Sequence, residues 1–559
     1  MRGQRGQWLR WLIVWIACLS MCVWAQAQSI VDLAMLDPEI DGLLRVYGSA
    51  GRGNFGVPVT GGFDCDGDGF QDTAMSSMIA SPLERERAGE VYLIFGDGTV
   101  SGTRDSAGMS PDILKIFGAA PHEITGSEIW MDDVTGDGLG DLLIGRQNYS
   151  PTSDRIGAGA LTLIVGGSAL RDYAATLQPL DLQSPPAMLT IVTFVGPEPF
   201  GRLGMWMRTG DMSGDIATDT DGNEIPAPIA DIVVAADQVA VNPGQAHNGQ
   251  VYLIRGGAHL AMSQTIDLAN FGTTPLAGHI IRIDPPEQAD HYHFGATCQI
   301  ADLNGNGVGE VIVAATLNRA SASLRADGIS DGRTAHSFGG SARGTLYIAW
   351  DDNFRSPDAW QPGASFRITS PLVSHSIIRG GVLNHHFGEE ILGGLDYNND
   401  GLSDLFVGDI DGDLSDSQTR LSSGAGHVLY HAAQLQGLIF TLDAPPDGII
   451  VSTFLGAARK DIAADTAAHG DFDSDVVLLI SPLARHTAIP WNVVMRGFFM
   501  SSTAKMASGH RVSICVSRYR RACARPISMA RKAIVHQTAV MYWAIAPMPA
   551  TSMAMAKRT

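Results

Sequence analysis

The sequence predicts an all-β protein: a β-propeller of about six to seven four-stranded blades, with the last blade or blades incomplete. Three observations carry this reading. An Asp/Gly-rich loop recurs six times, with first Asp residues 69, 78, 91, 94 and 75 positions apart. Each complete loop runs into a short apolar segment, and five of the units close on a second apolar segment that begins at Gly. These segments are β-branched and bounded by Gly, Asp and Pro, the composition of strands. A unit of this length holds about four strands in one antiparallel sheet, which cannot bury both its faces alone. Radial stacking of such sheets buries the faces and protects the edges.

The chain opens with an export signal. Arg2, Arg5 and Arg10 form a positive segment, residues 11–24 an apolar run, and Ala25-Gln26-Ala27 a small-residue cleavage pattern. The apolar run is shorter than the ~20 residues a spanning helix needs, and no other stretch is apolar enough to cross a membrane. The expected organisation is a signal peptide at 1–27, a propeller at 28–475 and a separate tail at 476–559. Beyond the signal, four cysteines remain, too few for a disulfide framework, and Cys65 and Cys298 are expected to be free thiols.

The six loops read DCDGDGFQD (64–72), DVTGDGLGD (133–141), DMSGD (211–215), DLNGNGVGE (302–310), DYNNDGLSD (396–404) and DFDSD (471–475). The strands after them include DLLIG, DIVVAA, EVIVAA and DLFVG. The closing strands are GEVYLIFG (89–96), GALTLIVGG (159–167), GQVYLIRGG (249–257), GTLYIAW (344–350) and GHVLYHA (426–432). Phe-Gly steps stand at Phe55-Gly56, Phe200-Gly201, Phe294-Gly295 and Phe387-Gly388, and are missing from repeats two and six.

Phe-Gly, D-x-D-G-D-G-x-x-D and G-x-V-Y-L-I, recurring in that order over about 41–475, resemble FG-GAP repeats. These are the blades of the integrin α-chain N-terminal propeller and of many secreted bacterial proteins. The resemblance implies a propeller, commonly of seven blades, calcium in the acidic loops, and a role in adhesion or ligand binding.

The loop chemistry points to calcium independently. Ca2+ takes ~6–8 oxygen ligands, and acids at positions 1, 3, 5 and 9 of a nine-residue loop can converge on one ion, with Gly allowing the turns between them. A carbonyl at position 7 completes the shell. Loop one supplies Asp64, Asp66, Asp68 and Asp72 with the Phe70 carbonyl. Loop five supplies Asp396, Asn398, Asp400 and Asp404 with Leu402. Loop two supplies Asp133, Thr135, Asp137 and Asp141 with Leu139, a weaker set. Loop three offers Asp211, Ser213 and Asp215 and is then interrupted up to Asp231; Asp219, Asp221 and Asn223 lie in the insertion. Loop four offers Asp302, Asn304, Asn306 and Glu310, with only two carboxylates. Loop six stops after Asp471, Asp473 and Asp475. The bare alternative is a set of Asp/Gly turns in which the acids bond backbone N–H groups without an ion. An EF-hand is excluded by its 12-residue loop and flanking helices. The expected role of calcium is structural.

His291, His293, His385 and His386 precede Phe-Gly steps, as strand-end residues or as zinc ligands paired across neighbouring blades. No nucleophile elbow, H-E-x-x-H or phosphate loop is present, so nothing argues for catalysis. The net charge of −20 argues against nucleic acid as a partner. All 58 acidic residues lie before 476; they face 26 basic ones there, giving −32, while the tail carries 12 Lys and Arg and no acid. Met-Ala recurs in the tail, at 553–556 twice in succession. ATG-GCN read one base earlier after a G becomes an Asp-Gly codon pair, so the expectation is a reading-frame shift soon after Asp475, with a genuine basic extension as the competing reading.

The function expected from these features is an exported, calcium-binding, integrin α-like propeller that binds an extracellular protein or glycan ligand. The loops at 216–230 and 318–343 are the first places to seek contacts. The alternatives are a secreted propeller enzyme, a hydrolase or lyase acting on glycan or lipid-linked glycan, and a truncated fragment of a larger surface protein.

Overall fold

The computed structural model describes residues 44–49, 53–98, 102–218, 224–241, 247–286, 292–316, 343–381, 386–410, 412, 423–457, 461–470 and 479–483. The signal at 1–27, loop six, His291, His385, the 219–223 insertion tip, most of 318–343 and nearly all of the tail lie outside them. Residues 44–45 and 102–104 belong to a small separate unit. The rest of the description concerns the main unit, which is all-β and propeller-like.

Five sheets follow one another along the chain. Sheet 1 contains Phe55–Phe63, Asp72–Ser77, Glu90–Ile94 and Ile113–Phe117. Sheet 2 contains Thr125–Asp132, Asp141–Arg146, Ala160–Ile164 and Ile191–Val195. Sheet 3 contains Trp206–Gly210, Asp231–Ala236, Gln250–Ile254 and Ile280–Asp284. Sheet 4 contains Phe294–Ala301, Glu310–Ala315, Thr345–Ala349 and His375–Arg379. Sheet 5 contains Phe387–Leu395, Asp404–Asp409, Ala425–Leu429 and Val451–Leu455. Within each sheet these four strands pair antiparallel in chain order. The first strands of successive sheets pack on one another, and that of sheet 5 packs on Thr466–Gly470, the start of a sixth sheet.

The apolar runs follow from this stacking. In DIVVAA, Val234 faces a core shared with sheet 2, where Leu161, Leu163 and Phe194 lie. Its neighbour Val233 faces a core shared with sheet 4, where Val311 and Val313 lie. Successive strand residues point to opposite faces, so a strand covered on both sides is apolar throughout.

Each of the first four sheets also has a fifth strand, which four-strand units do not anticipate. Leu180–Asp181, Gln264–Asp267, Ser365–Arg367 and Ile439–Thr441 each come from the next repeat and pair parallel with the outermost strand of the sheet before. This exchange covers edges that would otherwise template aggregation. Two of the donated strands are clamped by arginines of the receiving repeat: Arg85 grips Asp181 and Arg155 grips Asp267, each through two bonds.

The Gly that leads each closing strand has a steric cause. Gly89, Gly159, Gly249, Gly344 and Gly424 all have positive φ, and a Cβ on any of them would overlap the main chain of the next repeat, at Thr125, Leu203, Phe294, Phe387 and Ala463 respectively. Two registers are thereby corrected. In repeat five the equivalent glycine is Gly424, not Gly426. In repeat three the Phe-Gly position is held by Leu203-Gly204, not Phe200-Gly201: Leu203 is buried and Phe200 is exposed. Repeat two fills the step with Thr125-Gly126, and repeat six with Ala463-Ala464, Ala464 carrying the positive φ without being glycine. The step needs left-handed backbone more than it needs Phe. Gly249→Ala is expected to destabilise the protein by about 1–3 kcal/mol or more, from strain and overlap together; a chemical-denaturation midpoint equal to wild type would refute the steric account.

Candidate metal centre

Every described acidic loop joins the first and second strands of its sheet, so the loops gather at one end of the sheets. Their local geometry is repeated. The first Asp accepts from backbone N–H groups three to five residues on: Asp64 from Gly67 and Gly69, Asp133 from Gly136 and Gly138, Asp302 from Gly305 and Gly307, Asp396 from Asp400 and Gly401. This self-bonding is what Asp and Gly do in turns without any ligand.

The last acid does something else. Asp72 accepts from the amides of Cys65 and Gly96, and Asp141 from those of Val134, Thr135 and Gly166. Asp404 accepts from those of Tyr397 and His431. Each ties its loop to the end of the third strand. Asp231 plays the same part for loop three, accepting from Met212, Ser213 and Gly256 across the insertion. Asp231 therefore belongs with Asp211, Ser213 and Asp215, although the sequence left it outside the set. The signal was available in DIVVAA, which matches DLLIG and DLFVG.

The loops differ in what surrounds their side chains. In loop one, carboxylate oxygens of Asp64, Asp66 and Asp72 lie within 4.8 Å of one another, a spacing that fits one hard cation. Arg171 from repeat two reaches the same loop, pairing with Asp66 and, at 2.8 Å, with Asp68. In loop three, Arg255 holds Asp215 through two bonds of 2.6 Å. In loop five, the His431 ring lies 2.6 Å from Asp400. In loop four the Asn304 amide bonds Glu310 within the loop, and Asn306 bonds Asp351, just past the third strand, at 2.8 Å. Its side chains are taken up by these bonds and fit a cation poorly. In loop two, no basic side chain pairs with Asp133, Asp137 or Asp141 among the described residues, and the Thr135 hydroxyl is buried without a hydrogen-bond partner.

Phe70 and Leu402 are exposed at the tips of loops one and five, whereas the Leu139 side chain packs on Gly67 of the preceding loop. Adjacent loops are linked further: Gly140 N–H donates to the Asp64 carbonyl, Ala230 to that of Asp133, and Gly309 to that of Asp211.

Burial pushes several of these carboxyls up: Asp72, Asp133, Asp211 and Asp404 to about 6, Asp141 and Asp231 to about 7, and Glu310 to about 8. The cause is loss of water around each carboxylate, with neighbouring acids adding to it. Burial acts on Asp215 in the same direction, but Arg255 outweighs it and holds that acid below its ordinary value.

Away from the loops, the first strands of sheets 2, 3 and 5 bring three charged side chains together. Arg208 bonds Glu128 at 2.6 Å, and its guanidinium lies 4.5 Å from the Trp130 ring centroid. Glu390 is nearly fully buried, and burial pushes it up to about 8 against the pull of Arg208. At the opposite strand ends, His293 bonds Asp237 and stacks on His247, whereas His291 and His385 lie outside the described residues. Arg202 grips the same Asp237. Cys65 and Cys298 are buried free thiols, as expected. No helix among the described residues is long and apolar enough to cross a membrane. No protein-family model matches this chain, and no curated protein matches it.

Proposed function

We propose that this chain is an exported propeller whose acidic loops hold calcium as a structural ion, and that it serves as a binding or adhesion module for an extracellular protein or glycan. The observation that carries the calcium reading is the convergence of Asp64, Asp66 and Asp72 within 4.8 Å, in a loop whose pattern recurs blade after blade. The family resemblance supports adhesion, and an export signal at the N-terminus would put the chain where weak sites of about 0.1–1 mM are filled. Calcium would neutralise the buried acids and fix the hairpin joining the first two strands in those sheets whose loops fit it. The test is retention of matrix proteins and glycans on the immobilised full chain. Retention that needs calcium and is lost in EDTA is the expected result; retention unaffected by EDTA would separate binding from the metal.

The enzyme reading has one observation in its favour. Glu128 and Glu390 both interact electrostatically with Arg208, one ion-paired with it and the other pushed up by burial. Environments that separate two carboxyls suit acid–base work. Turnover of a glycan by wild type, abolished in Glu390→Gln, would favour it over the binding module.

A further inference from the structure

Sheet 5 ends on an edge that its four predecessors cover. Sheets 1 to 4 each take a fifth strand from the next repeat, and sheet 5 takes none among the described residues. The donated segments share one pattern: an apolar residue, a polar residue, then Leu or Ile. They read Leu180-Asp181-Leu182, Ile266-Asp267-Leu268, Phe366-Arg367-Ile368 and Phe440-Thr441-Leu442. In each, the apolar residue pairs with the fourth residue of the receiving strand: Ile116, Phe194, Ile283 and Ile378, all fully buried. Their counterpart in sheet 5, Phe454 of strand Val451–Leu455, is only partly buried. An outer strand left uncovered is a template for an extended segment.

The same pattern stands ahead of sheet 1, at Val31-Asp32-Leu33. In the four donating repeats the fourth strand begins 10, 13, 8 and 10 residues after the polar residue, and strand Leu44–Tyr47 begins 12 after Asp32. Gly118, Gly196, Gly380 and Gly456 each follow a fourth strand and stand seven residues before Thr125, Leu203, Phe387 and Ala463; Gly48 stands seven before Phe55. Leu44–Tyr47 is thus phased as a fourth strand preceding sheet 1. Val46 packs on the sheet 1 cluster of Tyr92 and Ile94, as Ile283 of sheet 3 shares a cluster with Tyr347 of sheet 4. Charge agrees with this phasing. Arg85 and Arg155, which hold Asp181 and Asp267, stand four residues before Gly89 and Gly159. Where the donated polar residue is Arg367 or Thr441, that position is Gln245 or Gly340; ahead of Gly424 it is Arg420. By this rule sheet 5 calls for an acidic donor, and no residue after Asp475 is acidic. We infer that Val31-Asp32-Leu33 is the fifth strand of sheet 5. It runs parallel to Val451–Leu455 with Val31 opposite Phe454, and clasps the start of the chain to the last complete sheet. The clasp does not depend on calcium.

The experiment is amide hydrogen exchange of the full chain, read on peptides covering residues 451–455. Val31→Asp changes no residue of the five sheets, so they keep their own cores. It is expected to speed exchange at 451–455 by about ten- to a hundredfold, the scale of losing one buried aliphatic side chain. Asp32→Arg should speed it about three- to tenfold, the scale of an ion pair turned into a repulsion. Adding Arg420→Asp to Asp32→Arg should restore the protection of wild type. Exchange unchanged by Val31→Asp, or a double variant no better protected than Asp32→Arg alone, overturns the assignment. Protection that disappears on dilution gives the edge to a second copy of the chain and overturns it as well.

Discussion

Stripping calcium with EDTA is expected to lower the melting temperature of this chain by about 5 °C or more at neutral pH. A ligand at a hundred times its dissociation constant stabilises by about 2.7 kcal/mol per site, and a domain of a few hundred residues moves by about 2–4 °C per kcal/mol. The size of the drop should depend on pH, and the sign follows from the buried carboxyls. In the ion-free folded state Asp72, Asp133, Asp211 and Asp404 titrate near 6, Asp141 and Asp231 near 7 and Glu310 near 8. In the unfolded chain such groups titrate near 4. The folded state therefore holds protons that the unfolded state has released, and their stabilisation is lost as pH rises from about 4 through 8. Asp181, Asp215 and Asp267, shifted down, act oppositely, but below the ordinary carboxylate range and so outside this window; His259, pushed down to about 4 by burial, and His279, also pushed down, act oppositely up to about 6.5. Melting in EDTA should fall between pH 5 and 8, most steeply above about 6.5, where the two histidines no longer oppose the carboxyls. Calcium, which binds the ionised acids, should flatten that fall, so the gap between the two curves widens with pH. A melt in EDTA that is level across this range would refute the account of the loops as unneutralised buried acids.

Arg208→Met is expected to be the most damaging single change outside the glycines, at about 3–5 kcal/mol, the cost of breaking a buried pair and leaving its partner uncompensated. The guanidinium is bonded to Glu128, and it also draws on Glu390 and the faces of Trp130 and Trp206. Methionine keeps most of the volume, so the loss would be electrostatic. Adding Glu128→Gln should restore much of the stability, because the uncompensated charge goes with it. Equal denaturation midpoints for the single and double variants would show that Arg208 acts through packing on the tryptophans instead.

Much of this architecture was legible one strand at a time. DLLIG, DIVVAA and EVIVAA could be read as doubly covered strands because both faces of each are apolar. The acidic loops could be placed between strands because Asp and Gly carry turn chemistry in the side chain and the φ angle. Repeat three misled the reading because Phe200-Gly201 has the right letters three residues too early. The fold selects the pair whose glycine reaches left-handed backbone beside Gly145 and Ala160, and that is Leu203-Gly204. The donated fifth strands were invisible for a related reason: two to four residues that pair parallel with another repeat leave no periodicity of their own.

The sequence by itself determined the all-β class, the repeat, the strands on either side of each loop and the acids at fixed positions within them. All of these depend on residues close together in the chain, where side-chain period and turn propensity act directly. Only the tertiary structure decided which loop meets an arginine, which acid becomes a buried clamp and which hydroxyl is left unpaired. Arg171 is 105 positions from Asp66, and Asp231 is 18 positions from the amide of Ser213. Electrostatics and desolvation depend on distance through space, which the linear pattern does not encode.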